Sequence, residues 1–195
     1  MATRIRSAPR LEPQRLQLRI SLLDSRPLVW RSVVVPVTIK LPKLHQVIQA
    51  VMGWHDSHLH EFVFHAGHYG KPTEFDEPGS VRSEAKVALN KLLGIGWNIF
   101  EYQYDFGDDW QHLVQVEDVL PPANEDEPAV RCLAGANACP PEDVGGLIGY
   151  AEFVQALADP KHEEHESMLE WIGGQFDPRG FDLDAVNVRL ARIKV

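Results

Sequence analysis

Leu16, Leu18, Ile20 and Leu22 alternate with Gln17, Arg19 and Ser21. A period of two is the signature of a strand with one face in a core, so the pattern predicts a strand over about 15–23. Asp24-Ser25-Arg26-Pro27 then supplies turn residues, and Val29 to Val35 is a second β-rich run that Pro36 closes. Together the two runs predict a hairpin. The spacing changes after it: Leu41, Leu44, Val47, Ile48, Val51 and Met52 recur at helical intervals, with Pro42 suited to a first turn and Gly53 just past the end. An amphipathic helix is expected there. Segments 59–65, 98–105 and 111–119 predict three more strands. The last two are joined by Phe106-Gly107-Asp108-Asp109, where Gly reaches positive φ freely and Asp can bond nearby amides. A polar loop, Pro121 to Pro128, follows.

Downstream the period becomes helical, over about 147–158, 163–172 and 183–193. The last runs through Val186, Leu190 and Ile193, with Asp182 placed to act as its N-cap. Strands mostly first and helices mostly last predict an α+β fold rather than alternating βαβ units. The expected architecture is a single compact domain with an antiparallel-rich sheet, a central amphipathic helix and a helical C-terminal part. Its expected limits are 15–195, after a flexible arginine-containing tail over 1–14.

Composition narrows the class. At 195 residues and 44% hydrophobic, the chain can bury its own core without disulfides or a structural metal. Its apolar runs, such as Leu28 to Trp30 and Val33 to Val35, are far shorter than the roughly 20 residues of a membrane helix. Residues 1–19 lack the apolar centre of a secretory signal, which points to the cytoplasm, where Cys132 and Cys139 would stay thiols. The net charge of −9 is unevenly spread. Arg4, Arg6, Arg10, Arg15 and Arg19 face Glu12 alone in the first 19 residues, leaving 14 basic and 27 acidic residues elsewhere. That acidic body would repel a phosphate backbone, and only the tail offers the cations that nucleic-acid binding requires. A solvated leader is the plainer account of the tail.

Two segments concentrate candidate chemistry. In Gly53-Trp54-His55-Asp56-Ser57-His58-Leu59-His60-Glu61-Phe62, a strand beginning near His58 would put His58 and His60 on one face, within reach of one metal ion. In Tyr104-Asp105-Phe106-Gly107-Asp108-Asp109-Trp110-Gln111-His112, three carboxylates and an imidazole surround one turn and could hold a divalent cation or pair an acid with a base. If the segments converge, His58, His60, Asp105, Asp108 and His112 form the site of a metal-dependent, hydrolase-like enzyme. The plainer account has the Asp residues bonding turn amides and the His residues satisfied in core or edge positions.

Other signals are weaker. Cys132 and Cys139 are too far apart for a zinc knuckle, which makes them small core residues. Glu142 and Asp143 precede Gly145-Gly146, which lacks both the spacing and the Lys of a phosphate loop, and they stand as secondary ligand candidates. His162 and His165 are a second such pair, in a helix start that is not HExxH and whose acidic residues the helix dipole already favours.

Several stretches taken in order are distinctive: Pro27-Leu28-Val29-Trp30-Arg31, Leu44-His45 through Gln49, Gly53-Trp54, His58-Leu59-His60-Glu61-Phe62, and Tyr104-Asp105-Phe106-Gly107-Asp108-Asp109-Trp110. Cys139 through Gly146, Gly149-Tyr150 and Phe176-Asp177-Pro178 complete the set. The chain resembles the Ri-plasmid ORF-3-like family over about 16–193. The resemblance implies a compact α+β domain and, by itself, no activity. Some relatives carry resolvase or repressor labels, but this chain has no recognisable helix-turn-helix. The leading expectation is a noncatalytic binding or regulatory module for a protein or small ligand. A metal-dependent enzyme is the alternative, and nucleic-acid association through the tail is the third.

Overall fold

The structure is a computed structural model that describes residues 14–94, 98–124 and 126–195. The arginine-rich stretch 1–13 lies outside the described residues. The period-two run becomes strand β1, Arg15–Leu22, with Leu16, Leu18, Ile20 and Leu22 buried. It pairs antiparallel with β2, Trp30–Pro36, as the expected hairpin. Helix α1, Leu41–Met52, follows, and Leu41, Leu44, Val47, Ile48 and Val51 are fully buried along it. Burial of each such side chain is worth about 2 kcal/mol, so packing rather than propensity holds this helix. Gly53 ends it in the left-handed region at φ 97, donating its N–H to the Gln49 carbonyl.

The remaining strands are β3, His60–Phe64; β4, Gly67–Gly70; β5, Val81–Ser83; β6, Ile99–Tyr104; β7, Trp110–Leu120; and β8, Arg131–Ala136. All eight form one sheet in the order β5-β4-β3-β6-β7-β1-β2-β8. Only the β4–β5 pairing is parallel among the described residues. The β6–β7 hairpin and β1 meet at the centre, since β1 pairs β7 on its other side. Helices α2, Gly146–Ala158, α3, His165–Ile172, and α4, Leu183–Leu190, complete the α+β fold. Asp182 caps α4 as expected, its carboxylate accepting from Ala185 N.

Three strands were not legible in the pattern. β4 reads Gly-His-Tyr-Gly and β5 has three residues, both too short to show alternation. β8 carries Cys-Leu-Ala-Gly-Ala and exists because β2 offers it a partner. Arg31 shows how β2, β8 and α1 are tied together. Although buried, it donates to the carbonyls of Val51, Trp30, Ala136 and Asn137 at 2.8–2.9 Å, and its guanidinium lies 4.4 Å over the Phe181 ring.

Candidate functional site

Two histidine–carboxylate groups lie at different depths. The outer one is built by the β6–β7 turn. Asp105, at φ 55, accepts from the amides of Gly107 and Asp108 through Oδ1 at 3.0 and 3.3 Å. Its own N–H donates to the Leu59 carbonyl, which ties the turn to the start of β3. Asp108 accepts from Gly145 N at 3.2 Å and so holds the loop before α2 against the turn. That loop carries Glu142 and Asp143. His58, in a bend before β3, places Nε2 3.0 Å from Asp143 Oδ1 and 3.5 Å from Asp105 Oδ2. Nε2 is shielded from solvent yet makes no hydrogen bond of acceptable geometry with either carboxylate.

Glu142 anchors the same loop. Tyr104 OH donates to its Oε1 at 2.5 Å, and His55 Nδ1 lies 3.0 Å from Oε2. Burial alone would raise the Glu142 carboxyl, but hydrogen bonds from Tyr104 and His55 hold it below the usual range. Burial and then the Glu142 hydrogen bond push the Tyr104 phenol well up, so it remains a donor.

Of the inner group, sequence reasoning named His60 alone. His45 on α1 lies with Nε2 2.8 Å from Asp56 Oδ1 and Nδ1 2.8 Å from Tyr102 OH. A carboxylate only accepts, so Nε2 carries the proton and Nδ1 accepts from the phenol. Gln49 Nε2 donates to Tyr102 OH at 3.1 Å, while its Oε1 accepts from Asp56 N at 2.8 Å. His60 pairs with buried Glu84 at 3.1 Å. The His45 and His60 rings stack face to face, 3.6 Å apart and 8° from parallel. Burial, and next the neighbouring His60, pull the His45 pKa down to about 4. His112 is fully buried, its Nδ1 donating to the Tyr102 carbonyl at 3.1 Å, and burial holds its pKa at about 4 as well.

The residues expected to converge therefore separate. His58 and Asp105 meet, Asp143 joins them, and Asp108 is adjacent but occupied with Gly145 N. His60 lies in the inner group because β3 begins at His60, so His58 is outside the strand and the two do not share a face. His112 belongs to the core. His162 and His165 serve the α2–α3 junction: Glu164 N donates to His162 Nδ1, and His165 Nδ1 meets the Ala156 carbonyl at 2.9 Å. Both cysteines are free thiols, raised by burial. His45 left a signal in the sequence, an imidazole on the apolar stripe of α1. Glu84 left none, because no periodicity surrounds it.

Both groups bring three donor atoms within 4.8 Å of one another: His45, Asp56 and His60 inside, and His58, Asp105 and Asp143 outside. The inner set suits a cation poorly. Imidazole lone pairs lie in the ring plane, and two parallel planes 3.6 Å apart do not meet at one ion about 2 Å from both nitrogens. In the outer set Asp143 is 70% exposed, leaving a face open to water or ligand.

Beside β3 and β4 a cleft of about 750 Å³ is lined by Leu59, Glu61, Lys71, Phe75, Gln103 and Phe106. Phe75 is 91% exposed and Phe106 51%, so its rim is apolar and uncovered.

These features define an α+β domain with one eight-stranded sheet and histidine–carboxylate groups at one end of strands β3 and β6. The chain belongs to the plasmid pRiA4b ORF-3-like family, which matches residues 14–185. It is similar to an uncharacterized protein, y4hQ, of Sinorhizobium fredii (strain NBRC 101917 / NGR234), with 43% identity over 158 residues covering 81% of this chain and 80% of that one. It is also similar to the crystal structure of a protein of unknown function, MM3350, from Methanosarcina mazei Go1. That match has a TM-score of 0.80 and 36% identity, covering 89% of this chain and 97% of the other. Among the described residues no helix is long and apolar enough to cross a membrane.

Proposed function

We propose that this domain is a noncatalytic binding module, and that its ligand is a short segment of a partner protein held in the cleft beside β3 and β4. The observation that carries this is the uncovered apolar rim. Leu59, Phe75 and Phe106 stand exposed around a hollow whose wall also carries Glu61, Lys71 and Gln103. Covering one phenylalanine side chain is worth about 2 kcal/mol, and the polar wall fixes the orientation of whatever covers it. Strand β5, at the sheet margin, contributes Val81 to the same cleft and offers an edge on which an extended peptide can add.

The test is a random-peptide display library selected on the intact chain. Selected peptides are expected to lose about tenfold or more in affinity to a Phe75→Ala/Phe106→Ala variant, as hot-spot aromatics do. Peptides that bind the variant equally well, or a selection that yields none, would remove the cleft as the site.

A metal-dependent, hydrolase-like activity is the second reading, supported by His58 Nε2 standing shielded and without a hydrogen bond between two carboxylates. Three protein ligands with one exposed side would leave a position for a water that the cation activates. Elemental analysis of protein purified without added metal, beside a His58→Ala/Asp143→Ala variant, decides it. Near-stoichiometric metal lost in the variant supports this reading, and equal traces in both sink it.

A further inference from the structure

Helix α1 buries one face and turns Lys43, Gln46 and Ala50 toward a hollow of about 480 Å³. The opposite wall comes from the end of α4 and the residues after it, Arg189, Arg192 and Lys194. Four cations thus share one groove on a chain whose net charge is −9. Among the described residues, no carboxylate lies within ion-pair distance of any of the four. The groove's own carboxylate, Asp56, accepts from the neutral His45 ring at 2.8 Å and keeps its charge, one anion among four cations. Arg189 is held in place by donating Nε to the Ala50 carbonyl at 2.8 Å, which fixes one cation at the last turn of α1.

Helix dipoles do not account for this gathering. They favour Arg189 in the last turn of α4, but Lys43 stands in the first turn of α1, where the dipole favours acids. Four cations around a single carboxylate still repel one another, and a bound anion relieves that repulsion. Three of the four cations, Arg189, Arg192 and Lys194, lie beyond residue 185, where the family match ends.

We propose that this groove is a binding site for a small polyanion bearing phosphate or carboxylate groups. Lys43 and the Ala50 carbonyl that anchors Arg189 are seven residues apart on one helix, about 10 Å along its axis. Long Lys and Arg side chains reaching inward from both ends can meet a ligand with two anionic groups, whereas a single orthophosphate engages fewer of them. The acidic remainder of the surface repels a long polyanion and so selects for a compact one.

Calorimetric titration of the full chain with pyrophosphate, citrate and orthophosphate, at low and at moderate salt, tests the site. Pyrophosphate or citrate is expected to bind saturably, one per chain, more tightly than orthophosphate and more weakly as salt rises. Whichever binds better assigns the phosphate or the carboxylate source. An Arg192→Gln/Lys194→Gln variant, altering two exposed side chains, should lose about tenfold in affinity at an unchanged unfolding midpoint, and Lys43→Gln should lose several-fold more. No saturable binding of either polyanion up to about 10 mM, or equal affinity in wild type and variants, overturns the proposal. Neither outcome bears on the cleft beside β3 and β4, which shares no lining residue with this groove.

Discussion

The inner and outer histidine–carboxylate groups use the same residue types to different ends. Inside, His45, His60 and Glu84 are almost wholly buried, with Asp56 at the outer end 45% exposed, and hydrogen bonds run from phenol to imidazole, imidazole to carboxylate and amide to phenol. Outside, Asp143 is largely exposed and His58 Nε2 lacks a hydrogen bond. A hydrogen-bonded network in a low-dielectric core is costly to break, because any orphaned member loses both water and partner. An open group at the ends of two loops loses little if altered and keeps its ligand capacity. Depth, rather than residue identity, separates structural histidines from candidate chemical ones here.

The largest expected effect that sharpens this contrast comes from Glu84→Ala. Removing the buried partner of His60 should cost about 4 kcal/mol in urea unfolding, as broken buried pairs do. A loss under about 1 kcal/mol would show that the inner network is not structural. Next, Tyr102→Phe leaves His45 Nδ1 and Gln49 Nε2 without their shared hydroxyl and should cost about 2 kcal/mol by the same measurement.

A pH series breaks the comparison differently. His45 and His112 titrate near 4 in the fold against about 6.5 unfolded, so between those values the unfolded chain binds more protons. Their contribution is complete above about pH 6.5 and is lost as pH falls toward 4, with a slope of up to about 1.4 kcal/mol per pH unit for each imidazole. A flat stability profile across that window would overturn the neutral, buried assignment of both rings. The smallest effect belongs to the outer group: Asp143→Asn, which keeps the left-handed backbone at φ 61, should move the unfolding free energy by less than about 0.5 kcal/mol, in line with exposed ion pairs. A loss as large as that of Glu84→Ala would make the two groups equivalent.

The elements that were legible are those whose burial follows a period. β1 and α1 could be drawn from Leu16, Leu18, Ile20 and Leu22 and from Leu41 through Met52, because a strand or helix half in a core repeats its apolar face. The β6–β7 turn was legible through Gly107 and its aspartates, and Asp105 does bond the turn amides. β4, β5 and β8 were not legible, since short strands at or next to the sheet edges are specified by the neighbours they pair with. The candidate site divided in the same way. His58 with Asp105 followed from two motif segments, and Asp143 had stood only as a secondary candidate, while His45 with His60 and Glu84 joins residues from α1, β3 and the segment after β5.

By itself the sequence determined the α+β class, the central hairpins, the long buried helix and the family, since local periodicity and motif order are properties of the chain. Only the tertiary structure decided which histidines were sealed into the core, which one was left beside Asp105 and Asp143, and that Lys43 faces Arg189 across a groove. Those outcomes depend on contacts between residues far apart along the chain, where the relative placement of elements sets dielectric, partner and access.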